Sequence, residues 1–298
     1  MRRLSSLPAL VASLGVVATC GQLRDHGVTG PQLTQAVRAG ILVRVRRAHY
    51  ALPGIPRDCA AAVRLGGRLG GISAARSYGW WSGDDQRIHV SWPSKGNVAR
   101  AGRVLFSSPE ERVEFVHHWR IRREVLEGEP EVWRESPEQT LAQVLLNSDR
   151  LTAIACADSA IRRGTLSRFQ VSAVFSAMPR RVQEWERYVD GAPDSGLESI
   201  VRVWLLDRDL PFEHHPRIPG VGETDFLVGS SLIVETDGKT GHDDPDSRRR
   251  DYRRDTAAAS EGYITVRLNY SQVMFDWRSC ERQLLEHLSR GDHRRPIR

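Results

Sequence analysis

The chain has 298 residues, of which 40% are hydrophobic and 27% charged, a composition that excludes a fully disordered or fibrous protein. The length suggests two or three domains, and no stretch approaches the roughly 20 apolar residues that a membrane-spanning helix needs. Four widely spaced cysteines form no CxxC pair, which excludes a zinc ribbon or a disulfide scaffold and indicates free thiols in a reducing compartment.

The net charge of +6 is concentrated at the N-terminus. Residues 1–55 hold seven arginines and one acid, Asp25, so their positive surplus equals that of the whole chain. A strongly basic module attached to a neutral body is typical of a phosphate-binding domain. The alternative is a solvated basic face without a partner.

The first 20 residues also resemble an export leader, with two arginines before the apolar run Leu7–Ala18. Pro8 and Gly15 interrupt that run, however, and the helical pattern continues past Cys20. We therefore expect a cytoplasmic protein that does not bind membranes.

Residues 1–55 are predicted to form three short helices and a basic β-ribbon. Apolar spacing indicates one helix before Gly15, a second over Thr19–His26, and a third that Thr29 caps and Gly40 ends. The period then becomes two, which indicates strands. This order is that of a winged helix-turn-helix, whose third helix would enter the major groove of DNA. The expected nucleic-acid contacts on the third helix and the ribbon are Gln32, Gln35, Arg38, Arg44, Arg46 and Arg47.

The same segment resembles the N-terminal domain of AbiEi-type antitoxins from abortive-infection systems. The matching residues are AVRAGILVRVRRAHYALPG (36–54), and SAARSYG (73–79) resembles the region that follows in that family. The resemblance implies DNA binding, and an antitoxin role would require a toxin partner. The alternative is a module that contacts only protein.

Residues 56–190 are interpreted as an α+β middle domain. We predict a helix over Cys59–Leu69 and a helix that begins with Ser136 as N-cap, with Gln139 reaching back to the cap. Strands are predicted at Ile88–Trp92, Val104–Ser107 and Val113–Trp119. His117 and His118 would point to opposite faces of a strand, so they are not expected to share a metal ion.

Two apolar runs near the C-terminus, Thr224–Val228 and Leu232–Asp237, are predicted to form a hairpin around residues 229–231. In this register Asp225 faces Glu235, while Glu235, Asp237 and Lys239 share one face of their strand. Because facing like charges destabilise a hairpin, a bound cation or a shared proton is expected. Oxygen ligands favour Mg²⁺, or Mn²⁺ in its place. The alternative is an exposed acidic turn.

These carboxylates resemble the PD-(D/E)xK nuclease signature. More closely, residues 195–288 resemble an uncharacterised family of domains related to the very-short-patch-repair endonucleases. The matching segments are LESIVRVWLLDRDLP (197–211), VETDGKTGH (234–242) and RRRDYRRDTAAASEGYITVRLNYSQV (248–273).

The resemblance implies a restriction-endonuclease-like α/β domain that hydrolyses phosphodiester bonds with a metal ion. It implies Asp225 and Glu235 as metal ligands, Glu198 as an outer contributor, and Asp237 and Lys239 as further catalytic residues. The lysine lies two positions later than in the parent signature, and Glu223 and Thr224 replace the usual Pro-Asp. Either Asp237 and Lys239 form the working motif, or Glu235 and Asp237 both serve the metal.

Arg250 and Arg254 lie four residues apart on a predicted helix and are candidates to grip the nucleic-acid backbone. The alternative is an ordinary helix that Asp–Arg pairs stabilise.

The sequence thus predicts an α+β multidomain protein with a DNA-binding domain (1–55), a middle domain (56–190) and a nuclease-like domain (191–298). Two other functions stay open. One is an antitoxin-like transcriptional regulator with a catalytically silent nuclease fold, and the other is a protein-interaction domain in the C-terminal half.

Overall fold

The computed structural model describes residues 6–92, 114–126, 128–238 and 245–297, with side chains from residue 252 onward in the last range. The predicted strand Val104–Ser107 lies outside these residues, as does Lys239. The fold is mixed α and β, as the sequence predicts. The chain divides into two compact units: unit 1 comprises Met1–Asp149 and Arg163–Glu186, and unit 2 comprises Arg150–Arg162 and Arg187–Arg298.

Unit 1 opens with a small helical and β module. Its elements are α1 (Leu7–Ser13), β1 (Val17–Thr19), α2 (Cys20–Asp25), α3 (Gly30–Arg38), β2 (Val43–Arg46) and β3 (His49–Ala51). The three predicted helices and the ribbon are confirmed, and β1 is an unpredicted strand that pairs with β3 in the sheet β1-β3-β2. A shared core around Leu23, Leu33 and Leu42 fixes the helices against the sheet.

A second sheet follows in unit 1. The elements are α4 (Arg57–Leu65), β4 (Arg68–Leu69), α5 (Gly71–Ser77), β5 (Ile88–Trp92), β6 (Phe115–Trp119) and α6 (Pro137–Asn147). After α7 (Arg150–Arg162), which belongs to unit 2, come α8 (Arg168–Ser176) and α9 (Arg180–Gln183). Strands β4, β5 and β6 form a sheet in that order. Val17 and Ala51 share a core with Val63 and Val90, so the two sheets of unit 1 pack as one body.

Two local predictions in unit 1 are wrong in part. The helix predicted over Cys59–Leu69 ends at Leu65, because Gly66 adopts a φ of +91° that closes the helix in the left-handed region. Ser136 caps α6 as predicted, but the Gln139 side chain does not reach back to it. Its amide bonds instead to the backbone N–H and carbonyl of Ile121, which tertiary packing places beside it.

Unit 2 is built around a four-stranded sheet. Its remaining elements are α10 (Gly196–Leu206), β7 (Phe212–His214), β8 (Arg217–Ile218), β9 (Gly222–Glu223), β10 (Phe226–Val228), β11 (Leu232–Asp237), α11 (Pro245–Glu261), β12 (Ile264–Asn269), α12 (Tyr270–Phe275) and α13 (Trp277–Ser289). The sheet order is β12-β11-β10-β7. β11 pairs in parallel with β12, while β10 is antiparallel to both β11 and β7.

Helix α10 is buried on nearly every side, and it packs on α7. A buried carboxylate on α7, Asp158, fixes this pair. It lies 3.4 Å from the guanidinium of Arg202 and accepts hydrogen bonds from the Ser199 hydroxyl and the backbone N–H groups of Asp190 and Gly191. Helix α7, which the sequence places in the middle domain, is therefore an integral part of unit 2.

Helix α11 covers one face of the sheet. Ala258 on α11 packs in a small core with Ile233 of β11 and with Ile218 and Val221 of the β8–β9 hairpin. Because side chains alternate along a strand, Glu235 lies on the same face of β11 as Ile233 and projects toward α11.

Candidate functional site

The β10–β11 hairpin has the predicted register. Phe226 pairs with Val234, Leu227 with Ile233, and Val228 with Leu232. The expected fourth pair, Asp225 with Glu235, is not part of the ladder, because β10 begins one residue after Asp225. On the opposite edge of β11, Glu235 pairs with Arg267 of the parallel strand β12. The two carboxylates therefore occupy neighbouring positions without facing each other directly.

Asp225 is a half-buried carboxylate held from the neighbouring strand. Its Oδ2 accepts hydrogen bonds from the backbone N–H of Thr236 at 2.7 Å and from the Thr236 hydroxyl at 2.8 Å. Its Oδ1 has no hydrogen-bond donor among the residues that the structure describes. Burial raises the pKa of Asp225 above its usual range, and the nearby charges of Glu198 and Glu235 raise it further against the opposing hydrogen bonds from Thr236.

Glu235 lies between two arginines. Its Oε1 accepts from the Arg254 guanidinium and its Oε2 from Nε of Arg267, each at 3.0 Å. Arg254 also donates to the carbonyls of Val221 and Glu223. The negative charge of Glu235 is thus already compensated within the protein, and Arg254 has a structural role besides its proposed role in gripping nucleic acid.

Glu198 is buried at the N-terminus of α10, where Ser195 caps the helix. Its Oε2 accepts a hydrogen bond from the backbone N–H of Asp194 at 2.8 Å and lies 2.9 Å from Nε2 of His215 and 3.4 Å from Nε2 of His214. Burial opposes ionisation, but these polar neighbours and the Ser195 hydroxyl together lower the pKa of Glu198 to about 2. Glu198 is therefore held as an anion.

Two successive histidines reach the same carboxylate because the backbone leaves the extended conformation at His215. Side chains alternate along a strand, so His214 and His215 would ordinarily point to opposite faces. His215 has a φ of +53°, in the left-handed region that residues other than glycine seldom adopt. The two imidazole rings consequently stack with centroids 3.9 Å apart. Strained backbone of this kind is concentrated at functional sites.

Glu198, His214 and His215 form a group whose ligand atoms all lie within 4.8 Å of one another. Among the described residues, no other group of three or more His, Cys, Asp or Glu side chains meets that distance, so Asp225 and Glu235 do not form such a group with Glu198. Asp237 is exposed at the end of β11, next to Asn269. Lys239 lies outside the described residues, and the side chain of Arg250 does as well.

The predicted nucleic-acid contacts of residues 1–55 are mostly solvent-exposed. Gln35 and Arg38 are exposed on α3, and the ribbon arginines Arg44, Arg46 and Arg47 are exposed on or beside β2. Gln32 differs, because its side-chain oxygen accepts from the backbone N–H and the hydroxyl of Thr29 and so closes a capping box. Its amide oxygen therefore has a structural role in the start of α3.

Unit 1 contains a second group of linked titratable side chains. Nδ1 of His89 lies 2.9 Å from Nε2 of His118, and Nε2 of His89 lies 3.1 Å from Asp85. His117, by contrast, accepts a hydrogen bond from the indole N–H of Trp92. The neighbouring histidines on β6 thus have separate partners, as their alternation predicts. Burial lowers the pKa of His118 to about 3, with further lowering by His89 and His117.

Neither a search of protein-family models nor a search of curated proteins finds a match for this chain. Within the described ranges, no helix has the length and apolar character needed to cross a membrane. The four cysteines are unbonded, and three of them are buried.

Proposed function

We propose that unit 2 is a metal-dependent nuclease that hydrolyses phosphodiester bonds of nucleic acid with Mg²⁺ or Mn²⁺. The observation that carries this proposal is the environment of Asp225. Its carboxylate is half-buried near two other carboxylates, its pKa is raised, and one oxygen lacks a donor among the described residues. A cation at that oxygen would remove the electrostatic cost of keeping Asp225 ionised.

The residues fit an oxygen-preferring ion at Asp225 better than at Glu235. Asp225 can offer Oδ1 without losing a hydrogen bond, whereas both oxygens of Glu235 accept from arginine. Asp225 is therefore the principal proposed ligand. Glu235, Asp237 and Glu198 remain the neighbouring carboxylates of the site, with Lys239 as a further proposed catalytic residue. The bound ion would supply an activated water and stabilise the charge that develops on the phosphate.

We further propose that residues 1–55 deliver the nuclease to DNA as a winged helix-turn-helix. The element order helix, strand, helix, helix, strand, strand supports this assignment, as does the row of exposed arginines on the ribbon. Those arginines would neutralise phosphates, and exposed Gln35 and Arg38 would face the major groove.

The test of the nuclease proposal is a cleavage assay on supercoiled plasmid and single-stranded DNA with Mg²⁺ or Mn²⁺. Asp225→Asn keeps an oxygen that can accept from Thr236, so it preserves the local hydrogen bonds. We expect it to reduce cleavage by at least about 100-fold, because even outer-sphere residues of metal sites cost 10–100-fold. Glu213→Gln is the matched control, since Glu213 is an exposed carboxylate on β7 of the same sheet.

A second candidate function is a DNA-binding regulator whose nuclease fold is catalytically silent, with a toxin as its possible partner. It is favoured by one specific observation, the pairing of Glu235 with Arg254 and Arg267, which compensates the carboxylate without a metal ion. Under this alternative, the wild-type chain does not cleave DNA. Its affinity for DNA is the same with Mg²⁺ or a chelator, and Asp225→Asn leaves that affinity unchanged.

A further inference from the structure

The cluster of Glu198, His214 and His215 shares Glu198 with the carboxylate site proposed above, but it differs from that site in chemistry. Its three ligand atoms come from the start of α10, the last residue of β7 and the residue after it. It offers one anionic oxygen and two imidazole nitrogens. Imidazole favours transition metals such as Zn²⁺, whereas Mg²⁺ is bound by oxygen ligands and water.

The imidazole of His214 leaves one buried nitrogen without a hydrogen-bond partner among the described residues and with only a longer contact to Glu198. Its Nε2 is buried and makes no hydrogen bond with any described residue, although it lies 3.4 Å from Oε2 of Glu198. The ring is held in place by stacking on Phe226, with centroids 4.8 Å apart, and on His215. A buried polar atom without a partner costs free energy, so a ligand that binds this nitrogen would stabilise the protein.

The spacing of the ligand atoms is compatible with one small cation. Zinc–nitrogen and zinc–oxygen bonds of about 2.0–2.2 Å at tetrahedral angles separate the ligand atoms by about 3.3–3.6 Å. Nε2 of His214 already lies 3.4 Å from Oε2 of Glu198, and Nε2 of His215 lies 2.9 Å from it. A shift of about 0.5 Å in the His215 ring would bring its Nε2 to the same spacing from Oε2. The two imidazole nitrogens themselves lie within 4.8 Å of each other.

We infer that Glu198, His214 and His215 bind one Zn²⁺ ion, with water in the fourth position. Two histidines and one glutamate are the protein ligands of several catalytic zinc centres. This inference goes beyond the proposed function, because it requires neither nucleic acid nor the carboxylate of Asp225. The two sites are nevertheless neighbours, since the backbone N–H of His215 donates to the carbonyl of Asp225 at 3.0 Å.

The experiment uses the full chain after treatment with a chelator and exchange into metal-free buffer. Zn²⁺ is titrated by calorimetry, and the zinc-loaded protein is measured by X-ray absorption at the zinc edge. We expect one equivalent of Zn²⁺ per chain, with two imidazole ligands and no sulfur ligand. Failure to bind one equivalent, or a spectrum with cysteine sulfur at the metal, would overturn the inference.

Substitution of each histidine tests whether Zn²⁺ binds at this cluster. His214→Gln and His215→Gln each retain a side-chain N–H near Glu198, and each should weaken Zn²⁺ binding at least about tenfold. His287→Gln is the control, because His287 pairs with Asp292 at 2.7 Å elsewhere in unit 2. Circular dichroism establishes that each variant is folded. Unchanged affinity in both cluster variants would contradict the inference.

The outcomes separate this inference from the nuclease proposal. Zinc binding that survives in Asp225→Asn, in a protein that does not cleave DNA, supports the zinc site and removes the nuclease. Mg²⁺-dependent cleavage in a protein that does not bind Zn²⁺ supports the nuclease and removes the zinc site.

Discussion

Thr236 donates both its backbone N–H and its hydroxyl to the same oxygen of Asp225, at 2.7 and 2.8 Å. This double contact orients a carboxylate that lies outside the regular ladder, since β10 begins only at Phe226. It also leaves the second oxygen of Asp225 in a defined direction. The strand that carries Glu235 therefore positions Asp225 through the residue next to Glu235.

Removing the Thr236 hydroxyl is expected to weaken this arrangement. Thr236→Val keeps the shape and the backbone donor but deletes one hydrogen bond to an ionised carboxylate, at a cost of about 1–2 kcal/mol in unfolding free energy. The pKa of Asp225 should rise further, because a hydrogen bond that favours the anion is lost. Urea denaturation at pH 7 measures the cost. Thr236→Ser, which keeps the hydroxyl, should lose much less, and equal losses in the two variants would contradict this role for the hydroxyl.

Neutralising Asp225 should stabilise the metal-free protein while it abolishes the proposed activity. The pKa of Asp225 is raised in the folded state. The folded protein therefore holds the proton of this carboxyl group more tightly than the unfolded chain does. Ionised Asp225 therefore destabilises the fold at any pH above the raised pKa. Asp225→Asn removes that cost, and its unfolding free energy at pH 7–8 should exceed that of the wild type. Glu213→Gln, at an exposed site, should change it by less than about 0.5 kcal/mol. A destabilised Asp225→Asn protein would contradict the electrostatic argument.

The arginines around Glu235 should act as a coupled group. Replacing Arg267 with Gln removes its contacts with both Glu235 and Asp255. Because Arg267 is about one third exposed, with 35% of its side-chain surface accessible, we expect a modest loss of about 1 kcal/mol or less, which shrinks at high salt. A double-mutant cycle with Glu235→Gln measures the coupling free energy by denaturation at two salt concentrations. Additive effects would show that the pair does not contribute to stability.

Unit 1 should lose stability as the pH falls from about 6.5 toward 4.5. Burial lowers the folded-state pKa of both His89 and His118, in His118 to about 3 from an ordinary 6.5. The unfolded chain therefore binds more protons in this window, and each histidine removes up to about 1.4 kcal/mol of stability per pH unit. Glu198, in unit 2, has a lowered pKa of about 2. The stability that its ionised carboxylate gives to the fold is therefore lost only below about pH 4.5.

Hydrogen exchange of peptides from β5 and β6 monitors this transition within unit 1. In the His118→Gln variant, residue 118 cannot be protonated. The protection of the β5 and β6 amides from exchange should therefore depend less on pH between 6.5 and 4.5 in this variant. His26→Gln is the control, because His26 is exposed on the surface after α2. An identical pH dependence in wild type and His118→Gln would contradict the assignment.

The ribbon arginines should set the salt dependence of DNA binding. Arg44→Gln combined with Arg47→Gln is expected to weaken binding to all sequences alike and to lower the slope of log affinity against log salt by about two. The charge-matched control is Arg180→Gln with Arg181→Gln on or beside α9, where both side chains are exposed. Fluorescence anisotropy with labelled duplex at several salt concentrations measures the slope. An equal decrease in the control would indicate a nonspecific charge effect.

Local patterns predict some of the elements that carry the candidate site, although not strand β7. Two continuous apolar runs and a short polar loop between them fix the β10–β11 register. The cap at Thr29 was likewise readable from sequence. Each of these features depends on residues only a few positions apart, which is why periodicity and capping chemistry recover them.

The Glu198–His214–His215 cluster was only partly foreseeable. The two histidines precede the first carboxylate strand in the sequence, and no local pattern joins them to Glu198. Their convergence on one oxygen depends on the left-handed backbone of His215 and on the packing of α10 against the sheet. The arginine pairing of Glu235 depends in the same way on a parallel strand and a helix distant in sequence. Such contacts join residues that are distant in sequence, so local sequence patterns do not predict them.

The buried carboxylate of Asp158 has a consequence for how unit 2 can be separated from the rest of the chain. The chain enters this unit for one helix, α7, leaves it, and returns at Arg187. A fragment that begins at residue 191 would carry Arg202 as a buried cation without its carboxylate, a loss of about 3–5 kcal/mol. A protein recombined at that point would therefore contain the sheet of unit 2 without the helix on which α10 packs. A fragment that begins before Arg150 would contain all elements of unit 2.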